Sequence, residues 1–357
     1  MNTQKLPILP PDFDLETKTV LKHLAKANRA LAELKGYVET IPNKHILING
    51  IMINEAKDSS AIENIITTHD DLYKAISKTS EASHAAKEVV SYRTALWHGF
   101  QLVKERQLLT NNMIIEIQSI IESNKAGIRK LPGTVLRNDR TGETVYTPPV
   151  GEAEIISLLG NLEKYINEDN NEDIDPLIKM AVIHYQFESI HPFYDGNGRT
   201  GRIINVLYLI LMDLLDSPIL YLSGYINRNK SDYYRLLQEV RNINNWEDWI
   251  SYILVGVEET AVKTLSLAKK INSEVATMSE EIKMRLPKIY SKELLELLFF
   301  EFYTKTIYIQ QGLSVSRRTA VSYLSSLENE GFLISEKIGK ERIYQNKSLY
   351  DLFRYEQ

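Results

Sequence analysis

The sequence predicts a mainly α protein: a helical bundle carrying one small β-hairpin, followed by a separate winged-helix domain. Three observations predict it. Apolar residues recur at helical spacing along most of the chain up to about residue 275. One Gly-containing turn between β-prone runs interrupts them. Past about residue 280 the pattern changes to short helices followed by two strand-like runs around a glycine.

At 357 residues the chain exceeds what one hydrophobic core organises, so several domains are expected, divided here as 1–105, 106–280 and 281–357. Hydrophobic residues at 43% and charged residues at 25% match globular proteins and argue against disorder or a coiled-coil rod. A formal net charge of −5 gives no overall pull toward nucleic acid or an anionic membrane. With no cysteine, disulfides, thiolate zinc sites and a cysteine nucleophile are excluded. Met1 to Pro11 lacks the apolar core of a signal peptide, which points to a cytoplasmic protein. The longest apolar stretch, Ile203 to Leu215, contains Asp213 and is too short to span a bilayer, so it reads as a buried helix and no membrane partner is expected.

The first helix is expected over Leu15 to Thr40, where Leu21, Leu24, Ala25, Leu31 and Leu34 follow a helical period. Further helices are expected near 47–57, 60–66, 81–106, 111–123, 151–168, 174–189, 198–215, 230–243 and 246–275. Between them, Thr134-Val135-Leu136 and Thr144-Val145-Tyr146 flank Asn138-Asp139-Arg140-Thr141-Gly142, the pattern of a hairpin. Pro148-Pro149 cannot donate to a strand ladder and should end it. A helix at 290–303, a helix-turn-helix stretch at 307–329, and Phe332-Leu333-Ile334 with Arg342-Ile343-Tyr344 around Gly339 give the winged-helix expectation.

Residues 191–202 concentrate chemistry: one His, one Asp, three Gly, one Asn and two Arg between two helical patterns. Gly196 and Gly198 permit positive φ, and the helix that starts near 198 offers its positive end, so the loop can form an anion nest. Arg199 and Arg202 share a helical face and suit a polyphosphate. Asp195 is a hard oxygen ligand beside that nest, and His191 titrates near neutral pH. Other readings fit worse. Gly196-x-Gly198-x-x-Gly201 matches a dinucleotide fingerprint, but a helix, not a strand, precedes it; no Gly-Lys-Ser/Thr follows for a Walker loop. A metal site of His184, His191 and Asp195 leaves both arginines unexplained.

Over His191-Pro192-Phe193-Tyr194-Asp195-Gly196-Asn197-Gly198-Arg199-Thr200-Gly201-Arg202 the chain resembles, at every fixed position, the signature His-Pro-Phe-x-Asp-Gly-Asn-Gly-Arg-x-x-Arg of the Fic family. Phe187-Glu188-Ser189-Ile190 is also similar. The resemblance implies a Fic-type helical bundle and an enzyme that transfers AMP from ATP to a protein Ser, Thr or Tyr hydroxyl. It implies His191 as the base, Asp195 as the Mg²⁺ ligand, and the amides of Gly196, Asn197 and Gly198 as phosphate holders. Arg199 and Arg202 would take the β- and γ-phosphates, with Thr200 and Gly201 in the same ATP-binding stretch. Gly198, where phosphorylating relatives carry lysine, favours AMP transfer. The hairpin at 133–149 would be the flap, with Val145, Tyr146, Thr147 and Pro148 binding the target segment. Tyr234, next to Tyr233, stands where relatives place an aromatic against adenine.

Ser59-Ser60-Ala61-Ile62-Glu63-Asn64 resembles the family's inhibitory pattern Ser/Thr-x-x-x-Glu-Gly/Asn, which implies that Glu63 pairs with Arg202 and blocks productive γ-phosphate binding at the ATP site. Ser60-x-x-Glu63 is equally a capping box that would start a helix. The same site in reverse, with Glu63 positioning water to remove AMP, stays open, as does a transcriptional regulator that senses nucleotide. For the last domain, Ser316-Arg317-Arg318-Thr319 opens a helix able to meet DNA. Lys and Arg barely outnumber Asp and Glu in 281–357, which favours protein contact or homodimerisation over DNA.

Overall fold

The computed structural model describes residues 6–41, 43–68, 71–72, 75, 83–124, 126–137, 142–168, 174–300, 303–338 and 341–354. Helices dominate them. The chain forms α1 (Lys18–Glu39), α2 (His45–Ile62), α3 (His84–Arg106) and α4 (Asn111–Ile121), then the paired strands β1 (Leu136–Arg137) and β2 (Thr144–Tyr146). There follow α5 (Glu152–Asn167), α6 (Pro176–Ile190), α7 (Asn197–Leu211), α8 (Leu222–Arg228), α9 (Lys230–Ile243) and α10 (Trp246–Arg285).

Local signals explain several boundaries. Ser83 and Thr110 cap α3 and α4 by accepting from Ala86 N and Met113 N. Asp175 caps α6 through Leu177 N, and Pro176 occupies the first turn, where its missing N–H costs nothing. Every residue of α6 from Leu177 to Ile190 is buried, as is α7 apart from Gly198 and Leu211. Helices buried on every side form the centre of the bundle, and the polar residues they carry, such as His184, Arg199 and Arg202, find partners there. Helix α7 packs against α6, α3 and α4, while α5 covers α6. Trp249 of α10 closes this core, fully buried, with Nε1 donating to Ala181 O at 2.9 Å.

Helix α2 departs from the sequence reading. Two helices were expected near 47–57 and 60–66, with Ser60 and Glu63 opening the second. Instead one helix runs through to Ile62 and ends there. Asn64 takes a left-handed φ of 63°, Asn64 N donates to Ala61 O at 3.0 Å, and Ile65 N donates to Ser60 O at 3.0 Å. Those two bonds and that φ are a Schellman cap, in which Asn is the usual alternative to Gly. Ser60 and Glu63 therefore close a helix; the capping-box reading is wrong. Helix α10 also runs ten residues beyond its expected end, and α8 was not anticipated.

The chain divides into two compact units, Met1–Lys35 with Met52–Ala261, and Gly36–Ile51 with Val262–Gln357. In the second, α11 (Lys292–Phe300), β3 (Tyr303–Lys305), α12 (Thr306–Gly312) and α13 (Arg317–Asn329) precede β4 (Leu333–Ile338), β5 (Glu341–Asn346) and α14 (Lys347–Arg354). The strands form an antiparallel sheet in the order β3-β5-β4, with Ser335 opposite Tyr344. Ser316 caps α13 through Thr319 N, and Ala320, Leu324 and Leu327 are its buried stripe. The expected helix–helix–hairpin order is present, with β3 and α14 added; the turn at Gly339 and the hairpin tip 138–141 lie outside the described residues. Among the described residues no helix is long and apolar enough to cross a membrane.

Candidate functional site

The site lies between α6 and α7, within the first unit. Helix α6 stops at His191, whose φ of 49° and ψ of 59° turn the chain, with His191 N donating to Phe187 O at 3.0 Å. The loop is closed by Asn197. Its Oδ1 accepts from Phe193 N at 2.8 Å and its Nδ2 donates to Phe193 O at 2.9 Å. The Asn197 side chain therefore holds the loop's shape, and only its backbone amide can serve a ligand.

Gly196, at φ 78°, is the N-cap of α7 and supplies no side chain to cap it, which leaves the first amides of α7 open to an anion. Asp195 lies beside them, exposed, with Oδ1 accepting from Gly196 N at 2.7 Å. Among the described residues no three His, Asp or Glu side chains cluster as a metal site. The exposed Asp195 carboxylate at the mouth of the nest suits Mg²⁺, an ion that commonly takes one or two protein carboxylates and completes its shell with phosphate oxygens and water. His184 is no ligand. It is fully buried, shares a 2.9 Å hydrogen bond with Tyr233 OH and stacks 5.9 Å from Trp249, and burial lowers its pKa to about 3.

Glu63 reaches Arg202. Arg202 Nη2 donates to Glu63 Oε1 at 2.8 Å and to Ser59 O at 2.8 Å, while Nε donates to Ser59 Oγ at 2.8 Å. A β-carbon on Gly198 would collide with Glu63 Oε1, so the carboxylate presses on the first turn of α7. Burial alone would lower the proton affinity of Arg202; the charge of Glu63, together with those of Tyr233, Glu188 and Tyr92, outweighs it and keeps the guanidinium protonated. Two further carboxyls lie near Arg202. Burial raises both Glu55 and Glu188 to about 7; hydrogen bonds from Ser223 and Tyr92 oppose this for Glu55, and the charge of Arg202 opposes it for Glu188.

Arg199, only 4% exposed at its side chain, is also engaged: Nη1 pairs with Glu88 at 2.9 Å and Nη2 with Glu122 at 2.5 Å. Glu122 Oε1 would stand 2.8 Å from a β-carbon on Gly196. Both loop arginines are thus matched by carboxylates of the same chain. Thr200 is fully buried, and Gly201 is enclosed. Burial, then the Arg129 charge, lowers the His191 pKa to about 4, which leaves a neutral imidazole at pH 7.

The hairpin pairs Leu136 with Tyr146 and Arg137 with Thr144, with an irregularity between. Val145 points outward at 44% exposure, whereas Tyr146 turns inward: its OH donates to Ser189 O at 2.8 Å and Arg241 lies 3.8 Å from its ring centroid. Thr147 is half-buried and Pro148 buried. Tyr234 is 45% exposed and meets Tyr233 edge-on at 5.1 Å.

Three domain descriptions match the chain: Fic/DOC family N-terminal over residues 21–101, Fic/DOC family over 108–209, and the C-terminal domain of SoFic-like protein adenylyltransferases over 275–349. The chain belongs to the Fic family. It is 25% identical over 205 residues to the protein adenylyltransferase Fic of Drosophila persimilis, which covers 54% of this chain and 39% of that one. The protein adenylyltransferase fic-1 of Caenorhabditis elegans is 26% identical over 127 residues, covering 36% of this chain and 24% of that one. The Fic chain therefore spans well under half the length of these curated relatives. In fold it resembles a Fic family protein from Desulfovibrio desulfuricans, with TM-score 0.59, 17% identity and 94% and 98% of the two chains covered. A Fic domain containing signaling protein from Bacteroides thetaiotaomicron gives TM-score 0.53 at 17% identity, covering 72% and 97%.

Four residues around the Fic loop escaped the sequence reading: Glu88, Glu122, Arg129 and Arg241. Each lies far from 191–202 in sequence, and none belongs to a motif. Only the packing of α3, α4, α9 and the pre-flap segment brings them to the loop.

Proposed function

We propose that this Fic protein transfers AMP from ATP to a Ser, Thr or Tyr hydroxyl of a protein, and that Glu63 restrains it. The observation that carries the reading is the juxtaposition of a neutral His191, the open amides of α7 and Arg202, with Glu63 lying across the last two. ATP would seat its phosphates on the amides of Gly196, Asn197 and Gly198, with Arg199 and Arg202 on the outer phosphates and Tyr234 against adenine. Asp195 would hold Mg²⁺, which neutralises phosphate charge. His191 takes the proton of the incoming hydroxyl as its oxygen attacks the α-phosphorus and pyrophosphate leaves. The target segment would add to the outer edge of β2, read by Val145. Catalysis here is positioning and charge neutralisation.

Glu63 lies against the nest as an internal anion, which supports autoinhibition together with Ser59, which binds Arg202, and Asn64, which caps the helix end. The same carboxylate supports a second reading, removal of AMP with Glu63 positioning water. The C-terminal unit is read as a winged helix that docks protein or a second copy of this chain. A DNA-binding role would instead appear as salt-sensitive DNA binding unaffected by His191→Ala.

The test is incubation of wild type, Glu63→Gly and His191→Ala with α-labelled ATP and Mg²⁺, followed by gel and mass spectrometry. Labelling by Glu63→Gly with the mass of one AMP, and none by His191→Ala, is expected. Silence from all three overturns AMP transfer, and loss of AMP from a modified protein by wild type alone would favour removal.

A further inference from the structure

His191 sits in a left-handed conformation that a β-carbon disfavours, at a helix end whose last carbonyls lack helical partners. One side chain answers both demands. Arg129, 1% exposed, donates Nε to His191 O at 2.8 Å and Nη2 to Ile190 O at 3.3 Å and Pro149 O at 2.5 Å. Its own backbone N–H donates to Pro192 O at 2.9 Å. The Arg129 fork therefore ties the turn that bears His191 to the point where the hairpin returns to the bundle.

The choice of partners is informative. A buried guanidinium is normally paired with a carboxylate, because an unpaired buried charge is costly. Arg129 makes no such ion pair among the described residues; it spends its donors on three main-chain carbonyls. A carboxylate on a flexible side chain can follow a moving partner. Carbonyls cannot move without their backbone, and the guanidinium presents its donors in a rigid plane. Residues 149, 190 and 191 are thereby held in one frame. Among the described residues, Arg129 has no hydrogen bond to the nest at 196–202, so the frame concerns the imidazole and the flap rather than the phosphates.

We infer that Arg129 is a positioning residue that sets the imidazole of His191 against the flap edge on which a target hydroxyl is presented. The inference rests on the reading of His191 as the base. Its charge has a second effect in the same direction: with burial, it disfavours the imidazolium and keeps the base neutral.

The experiment compares Arg129→Lys and Arg129→Gln in the full chain carrying Glu63→Gly. It reads ATP–Mg²⁺ affinity by calorimetry, kcat and KM for AMP transfer, and the His191 titration by NMR, with circular dichroism to verify folding. Expected are an ATP dissociation constant within twofold of the parent and a kcat lower by about 100-fold in both variants, the scale of a small misplacement of reacting groups. The His191 titration moves upward in Arg129→Gln and less in Arg129→Lys, which keeps the charge without the fork. An unchanged kcat in a folded variant overturns the proposal, as does an ATP affinity that falls in step with kcat. If the parent transfers no AMP, the functional reading fails by itself, and the His191 titration decides: no shift in Arg129→Gln overturns the positioning role.

Discussion

Glu63 Oε1 lies 2.8 Å from Arg202 Nη2 and at the same time against Gly198, so one carboxylate neutralises the arginine and fills the nest beside it. On the proposed reading, a triphosphate would displace it from both. Glu63→Gly is expected to bind ATP–Mg²⁺ at least tenfold more tightly than wild type by calorimetry, within the range of ordinary coupling energies. Equal affinities would mean that Glu63 does not compete with phosphate.

Arg199 carries two carboxylates of its own, Glu88 and Glu122, and Glu122 also crowds Gly196. Glu122→Gln removes a negative charge from the nest while keeping its shape. Combined with Glu63→Gly, it should tighten ATP binding by a further few-fold, more at low ionic strength than at high. An affinity that weakens instead would identify Glu122 as a support for Arg199.

The flap is pinned by Tyr146. Tyr146→Phe deletes one hydrogen bond, to Ser189 O, worth about 1 kcal/mol, and Arg241→Ala removes the cation over the ring. Both should speed amide hydrogen exchange at 144–146 while leaving α6 protected. Unaltered exchange in Arg241→Ala would show that the strand pairing suffices.

Glu55 gives a pH signature. Burial raises its pKa to about 7, against 4.5 when exposed, so between these values the native state binds more protons than the unfolded state. Stability from this group is full below about 4.5 and is lost as pH rises through 7. The melting temperature of wild type relative to Glu55→Gln should therefore fall from pH 5 to pH 8. A flat difference would place the Glu55 titration elsewhere.

Much of this was legible in the residues. The helical period located the main helices, and His191 to Gly196 form the turn between two of them, with the left-handed His191 and Gly196 at its ends and the rest of the motif on the first turns of α7. Glu63 and Arg202, 139 positions apart, were brought together by motif and meet. What periodicity could not supply was the direction of local signals. Ser60-x-x-Glu63 has the composition of a helix start, and Asn64 converts it into a stop. The resemblance gave Tyr146 as a flap residue, but its contacts with Ser189 O and Arg241 had no signal in the sequence. Arg129, Glu88 and Glu122 carry no pattern at all, because their partners are set by the packing of separate segments.

The Schellman turn after α2 bears on how completely the site is shut. Glu63 stands at the capped end of a helix, not in its middle, and its side chain is 34% exposed. Water can compete for it, and no helical turn has to unwind to let it swing away. Two conformers separated by a few kcal/mol leave the minor one at roughly 0.1–10% of molecules. If Glu63 restrains the site as proposed, such a latch would open without unfolding its helix, and the wild-type protein is expected to leak at a low background rate.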